Sequence, residues 1–164
     1  MGDIAYADTL HTIAQVAVTI IGFSGIVVVF GERAVSAWTA EDRLRIFALI
    51  MPTLTAFFCS FVPILIASFS LSADVVWRSS NAVLGLAHLA NLSIFVVNRH
   101  GARMTFGQRL NGGIGVVTIL AHFLAAAGLL PWYIFVFLFG LLQQTWIGIH
   151  NFLLLFQPKV RNDP

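Results

Sequence analysis

Five stretches of this sequence run without Asp, Glu, Lys or Arg for about the length a helix needs to cross a bilayer, and that spacing restricts the fold more than any other feature. A spanning helix takes about 20 mainly apolar residues. Lipid offers backbone groups no hydrogen-bond partners, so each such run must satisfy its own amides as a helix. The runs are Leu10 to Phe30, Ile46 to Leu71, Asn81 to Val97, Ile114 to Leu130 and Trp132 to Phe156. The last two come from one apolar stretch about twice the length of a single span. Pro131 lies near its middle and disfavours helix in the residue before it, so the stretch divides into a tight helical hairpin. Composition agrees, because 10% of the residues are charged where a soluble domain carries about 25%. The expected fold is all-α: one polytopic membrane helix bundle over residues 1–164, with five transmembrane helices.

The basic residues supply an independent test of that division. Arg33, Arg43 and Arg45 flank the first loop, Arg99, Arg103 and Arg109 lie in the third, and Lys159 and Arg161 follow the last span. Only Arg78 falls in the second loop, and the N-terminal tail carries Asp3 and Asp8. With five spans, eight of the nine basic residues share one side, which the positive-inside rule makes cytoplasmic. Four or six spans destroy the segregation. The N-terminus is therefore expected outside and the C-terminus in the cytoplasm.

Local signals refine the picture. Tyr6, Trp77, Trp132 and Tyr133 fall at outer boundaries and Trp38 near the inner one, as interfacial aromatic belts require, while Trp146 lies within a span and needs a packing explanation. Thr39-Ala40-Glu41-Asp42 reads as a capping box, which starts the second helix near Ala40. Val35-Ser36-Ala37 resembles a signal-peptide cleavage site. The tail before the first run is acidic, however, and the run exceeds the usual apolar segment of about 7–15 residues, so a retained helix is expected. The short loops and Gly22-Phe23-Ser24-Gly25 are similar to those of small bacterial membrane proteins, which implies the bacterial cytoplasmic membrane and no role for any residue.

At 100° per residue each span shows a polar or small-residue face. The first aligns His11, Gln15, Gly22 and Gly25, with Thr19 close by. The third gathers Asn81, Gly85 and His88, and the fourth Asn111, Gly115, Thr118 and His122, with Asn81 and Asn111 near helix ends where they could serve as caps. The fifth aligns Gly140, Gln144, Gly148 and Asn151. Any polytopic bundle uses small residues for close approach and amides or imidazoles as interhelical hydrogen-bonding groups, each contributing about 0.6 kcal/mol. The number of such groups points further, to a polar pathway. Gln15, Thr19, His88, His122, Gln144 and Asn151 are its expected lining. Every Asp and Glu lies outside the runs, which removes the intramembrane carboxylate of most proton- or sodium-coupled transporters and disfavours a divalent-cation path. Pro52 and Pro63 would free the carbonyls of Ala48 and Cys59, and both lie on one face, as a gating hinge or a fixed bend would need.

The expected function is thus a channel or transport-type protein for a small ion or solute, assembled as a homo-oligomer because five short helices seldom enclose a pathway alone. A second class is a b-type haem protein. His88 and His122 are midway along antiparallel spans and so lie at matching depth, as two axial ligands would, with Gly85 and Gly115 making room for the macrocycle. A third is a non-transporting accessory or scaffold subunit. Enzyme readings are weaker: there is no His-x-x-x-His cluster and no Gly-rich Lys-Ser/Thr loop, and Ser24 lacks the spacing of a nucleophile elbow. A net charge of +2 gives no reason to expect nucleic acid, and the single Cys59 rules out a cysteine metal cluster. The basic segment from Asn98 to Gly112 either sets topology or touches anionic headgroups.

Overall fold

The computed structural model describes residues 6–30, 38–99 and 102–155. Within them the secondary structure is entirely helical: α1 (Ala7–Phe30), α2 (Ala40–Ser60), α3 (Val62–Ala67), α4 (Ala73–Asn98), α5 (Phe106–Ala126) and α6 (Tyr133–Leu155). Five of the resulting rods, with α2 and α3 counted as one, are long and apolar enough to cross a membrane. A helix of 21 residues such as α5 is about 31 Å long, matching a hydrocarbon core of about 30 Å. The cleavage-like Val35-Ser36-Ala37, together with Asp3, Arg33, Lys159 and Arg161, lies outside the described residues.

Helix starts follow the local chemistry. Thr39 caps α2 by the expected box, its hydroxyl accepting from the Asp42 amide while the Asp42 carboxylate accepts from the Thr39 amide. An equivalent box formed by Thr105 and Gln108 starts α5. The fourth span consequently begins at Phe106, eight residues before the expected Ile114, and Arg109 is helical instead of lying in a loop. Ser72 caps α4, which begins at Ala73 instead of Asn81. Asn81 and Asn111 are therefore buried inside helices and are not caps. The expected division at Pro131 holds, since α5 ends at Ala126 and α6 begins at Tyr133. That turn is a Schellman motif. Gly128 is left-handed at φ 77°, its amide donates to Ala125 O, and the Leu129 amide donates to Leu124 O. Arg78 lies against Gly128 and donates from Nε to Ala126 O, so the one basic residue of that end closes the C-terminus of α5.

Pro52 and Pro63 act differently. Pro52 sits inside an unbroken α2, whereas Pro63 falls in the first turn of α3, after a break at Phe61 whose amide bonds back to Phe58 O. A proline at the start of a helix loses no intrahelical bond, so the chain restarts there. Pro63 thus marks a break and not the kink in a continuous helix that its spacing suggested.

α6 is the central element and packs on α1, α2, α4 and α5. Its broadest contact is with α2, and α4 pairs closely with α5. Only 28% to 44% of each apolar window is buried, so most of every helix presents its apolar side chains outward. The interior, in contrast, holds nearly as many polar as apolar side chains among the described residues.

These two kinds of core occupy different ends. Toward the end where α1 and α6 begin and α2 stops, Leu10, Ile13, Ala56, Cys59, Trp77, Leu84, Phe137 and Leu141 form an apolar plug. Trp77 is 3% exposed and meets Phe137 edge to face at 5.7 Å, so it belongs to this plug and not to an interfacial belt. Trp146 is 53% exposed on the outer side of α6, where its ring lies 6.4 Å from that of His150, so it is an outward-facing residue and not part of the core. The opposite half holds most of the buried polar side chains, beside Leu44, Leu49 and Leu154.

A polar cavity inside the helix bundle

The residues of the polar half come from four helices, α2, α4, α5 and α6. Those helices surround a cavity of about 60 Å³, room for a few water molecules. Its walls are mostly carbon, from Phe47, Pro52, Leu92, Phe95 and Ile147, with His88, Asn91, Gln108, Asn111, Gln144 and Asn151 supplying the polar groups. The chain direction sets the depth of each. Gln108 begins α5 and Asn151 ends α6, so both lie toward the end carrying Arg43, Arg45, Arg99 and Arg103, while His88, Gly115, Pro52 and Gln144 form the inner end near the middle of the bundle.

Hydrogen bonds join the outer polar groups. Gln108 Nε2 donates to Asn151 Oδ1 at 3.0 Å, Asn151 Nδ2 donates to Ile147 O at 2.8 Å, and Gln108 Oε1 accepts from the Thr105 amide. Asn91 Nδ2 donates to Thr55 Oγ1 at 2.8 Å. Arg45 turns away from the cavity and donates to Leu154 O at the end of α6. Among the described residues no charged side chain lines the cavity.

Beyond the inner end lies a second polar layer. Asn81 Nδ2 donates to Trp77 O and to Tyr133 O, which leaves Asn81 Oδ1 as the acceptor 2.8 Å from His122 Nδ1. That assignment puts the proton of neutral His122 on Nδ1 and leaves Nε2 an acceptor. Glycines seat both imidazoles. The Cβ position of Gly85 is 3.0 Å from His122 Cβ, that of Gly115 is 3.3 Å from His88 Nε2, and a Cβ on Gly140 would run into the His122 ring. The two rings meet edge to face at 6.2 Å.

What sets this region apart is incomplete hydrogen bonding. His88 Nδ1, His122 Nε2 and both amide atoms of Gln143 and Gln144 are buried without a partner near the inner end of the cavity and the layer beyond it, and His150 Nε2 is a seventh such atom nearer the end of α6. Buried polar groups are normally paired, so such a cluster marks a place where something is bound or where side chains rearrange.

Of the expected lining, His88, Gln144 and Asn151 meet at the cavity, and His122 stands one layer beyond it. Gln15 and Thr19 do not join them. Both are exposed on the outer side of α1, where Thr19 donates back to Gln15 O, and α1 contributes nothing to the cavity. Hydropathy phase identified the polar face of α1 but not its direction. Pro52 lines the cavity, whereas Pro63 belongs to the opposite half. Gln108 was not anticipated, because it lay in an expected loop, although Thr105-Phe106-Gly107-Gln108 carries the same box pattern as Thr39 to Asp42.

The His88–His122 pair does not fit haem. Gly85 and Gly115 are filled by the opposing imidazoles and leave no slot for a macrocycle, His122 Nδ1 is engaged by Asn81, and the neighbouring cavity holds a few waters only. Among the described residues no group of three or more His, Cys, Asp or Glu side chains is placed to hold a metal ion. No protein-family model, curated protein or solved structure matches the chain.

Proposed function

We propose that this is a small integral membrane protein of transport type, whose polar passage runs inside the single subunit. One observation carries the reading: a cavity with unpaired buried polar groups at its inner end, enclosed by helices whose outer surfaces are apolar. Leaving such groups unpaired is costly, and a bundle held together only by packing gains nothing from them. The cavity lies toward the arginine-bearing end, and the apolar plug with the His122–Asn81 layer fills the other. In the orientation expected from the arginines, with the N-terminus outside and the C-terminus in the cytoplasm, the cavity lies on the cytoplasmic side. The occupant is a small ion or solute of low charge, because no side chain in the wall offers a counter-charge.

The outward polar face of α1 (His11, Gln15 and Thr19) gives homo-oligomerisation a different role from the one expected. Polar groups on a lipid-facing helix gain by pairing with another helix, so a second copy would cover this face and leave the passage within each subunit. The same observation supports the accessory-subunit reading if the covering helix belongs to another protein. The expected location is the bacterial cytoplasmic membrane, and no enzymatic role is proposed.

Flux into proteoliposomes between about pH 5 and 8 tests the proposal. Protein-dependent movement of a small ion or solute that falls at least tenfold in Gln144→Leu supports it. Liposomes no leakier than empty ones across that range overturn it.

A further inference from the structure

The unpaired groups at the inner end of the cavity specify an occupant. Gln144 is completely buried, and both its amide nitrogen and its amide oxygen lack partners. His88, 3% exposed and also in the wall, has an unpaired Nδ1. A primary amide offers one donor edge and one acceptor edge side by side, and the group that satisfies both at once is another primary amide or a urea. Its N–H donates to Gln144 Oε1 while its carbonyl accepts from Gln144 Nε2. A further N–H or lone pair is left for His88, according to the tautomer of that ring. The remaining wall, from Pro52, Leu92, Phe95 and Ile147, suits a short alkyl group. A charged occupant finds no counter-ion there among the described residues, since Arg45 is committed to Leu154 O and no described carboxylate lines the wall.

We infer that the cavity is a binding site for a small uncharged amide or urea-type molecule, held by Gln144 and His88. The inference names the substrate class of the passage proposed above and rests on that reading for its physiological use. The volume admits a few heavy atoms, so the smallest aliphatic amides are the appropriate size and sugars or amino acids are excluded.

The test uses the full chain in mild detergent, labelled with ¹⁵N in its histidine rings and titrated with acetamide. The expected result is a saturable shift of the His88 ring signals in the millimolar range, with the exposed His11 unmoved. Acetate, nearly the same shape but charged, and acetone, which accepts but cannot donate, should bind at least tenfold more weakly. Gln144→Leu should weaken acetamide binding at least tenfold, and Gln15→Leu on the outer face should leave it unchanged. Should Gln144→Leu fail to fold, His88→Phe takes its place, with the Gln144 side-chain amide signals as the readout. A non-saturable response, an equal response to acetate, or a response unaltered in the folded variant overturns the inference. Proteoliposomes that pass ions while His88 ignores acetamide sink the inference and leave the transport reading intact. Acetamide that binds at His88, in proteoliposomes no leakier than empty ones to it or to small ions, leaves the site standing and sinks the transport reading.

Discussion

Asn81 makes three hydrogen bonds to three different parts of the chain: to Trp77 on its own helix, to Tyr133 at the start of α6, and to His122 on α5. Among the described residues no other side chain ties α4, α5 and α6 together in this way, and Asn81 and His122 are both fully buried. Asn81→Leu keeps the branched outline of the side chain but strands His122 Nδ1. Leaving a buried group unpaired costs about 1–3 kcal/mol, so the variant should unfold earlier by that amount in a denaturant titration in mixed micelles. Gln15→Leu, on the exposed side of α1, should stay within about 0.5 kcal/mol of the parent in the same titration. Equal losses in the two variants would mean that burial of Asn81 contributes nothing special.

Between elements, the close approach of α6 to α2 depends on Gly148. A Cβ there would run into Thr53 Oγ1 and stand 3.3 Å from Leu49 O. Thr53 cannot simply turn aside, since its hydroxyl donates to Leu49 O inside a fully buried contact. Gly148→Ala should therefore destabilise by about 1–3 kcal/mol, the usual cost of overpacking. Adding Thr53→Ala should recover part of the loss, and the coupling is read from a double-mutant cycle. A strictly additive cycle would show that the two residues do not meet. A second element-level expectation concerns the break between α2 and α3. In Pro63→Ala the new amide at position 63 can bond to Cys59 O, so the two helices should join and that amide should become protected from hydrogen exchange. An unprotected amide would show that packing, and not proline, imposes the break at Phe61.

At the scale of the whole molecule, the two halves of the interior differ in kind: an apolar plug where α1 begins and a polar cavity where α6 ends. Such polarity along the bundle axis means that orientation in the bilayer decides which side the cavity serves. With Cys59 replaced by Ala, single cysteines at Leu71 and Arg103 report that orientation, because both positions are exposed and they lie in the turns at opposite ends of α4. An impermeant maleimide applied to intact cells should label Leu71→Cys, and should label Arg103→Cys only after permeabilisation. Labelling of both from the same side would end the five-span reading.

How much of this was legible beforehand divides along a physical line. The number of spans, the division at Pro131 and the box at Thr39 depend on neighbours within a few residues, and short-range chemistry is written directly in the residue order. The separation of charge from apolar runs is equally local, since each residue answers to its solvent and not to a partner. Which way a polar face turns is not local. His11-Gln15-Thr19 and His88-Asn91 have the same amphipathic character, yet one faces out and the other lines a cavity, because direction is set by which helices pack against each other. The early start of α5, which brings Gln108 to Asn151, was encoded by a capping pattern that reads as loop until α6 supplies its partner. Likewise Gly85 and Gly115 carry the same spacing whether they accommodate a cofactor or an imidazole, and only the opposing helix, arriving 3.0 Å away, decides between them.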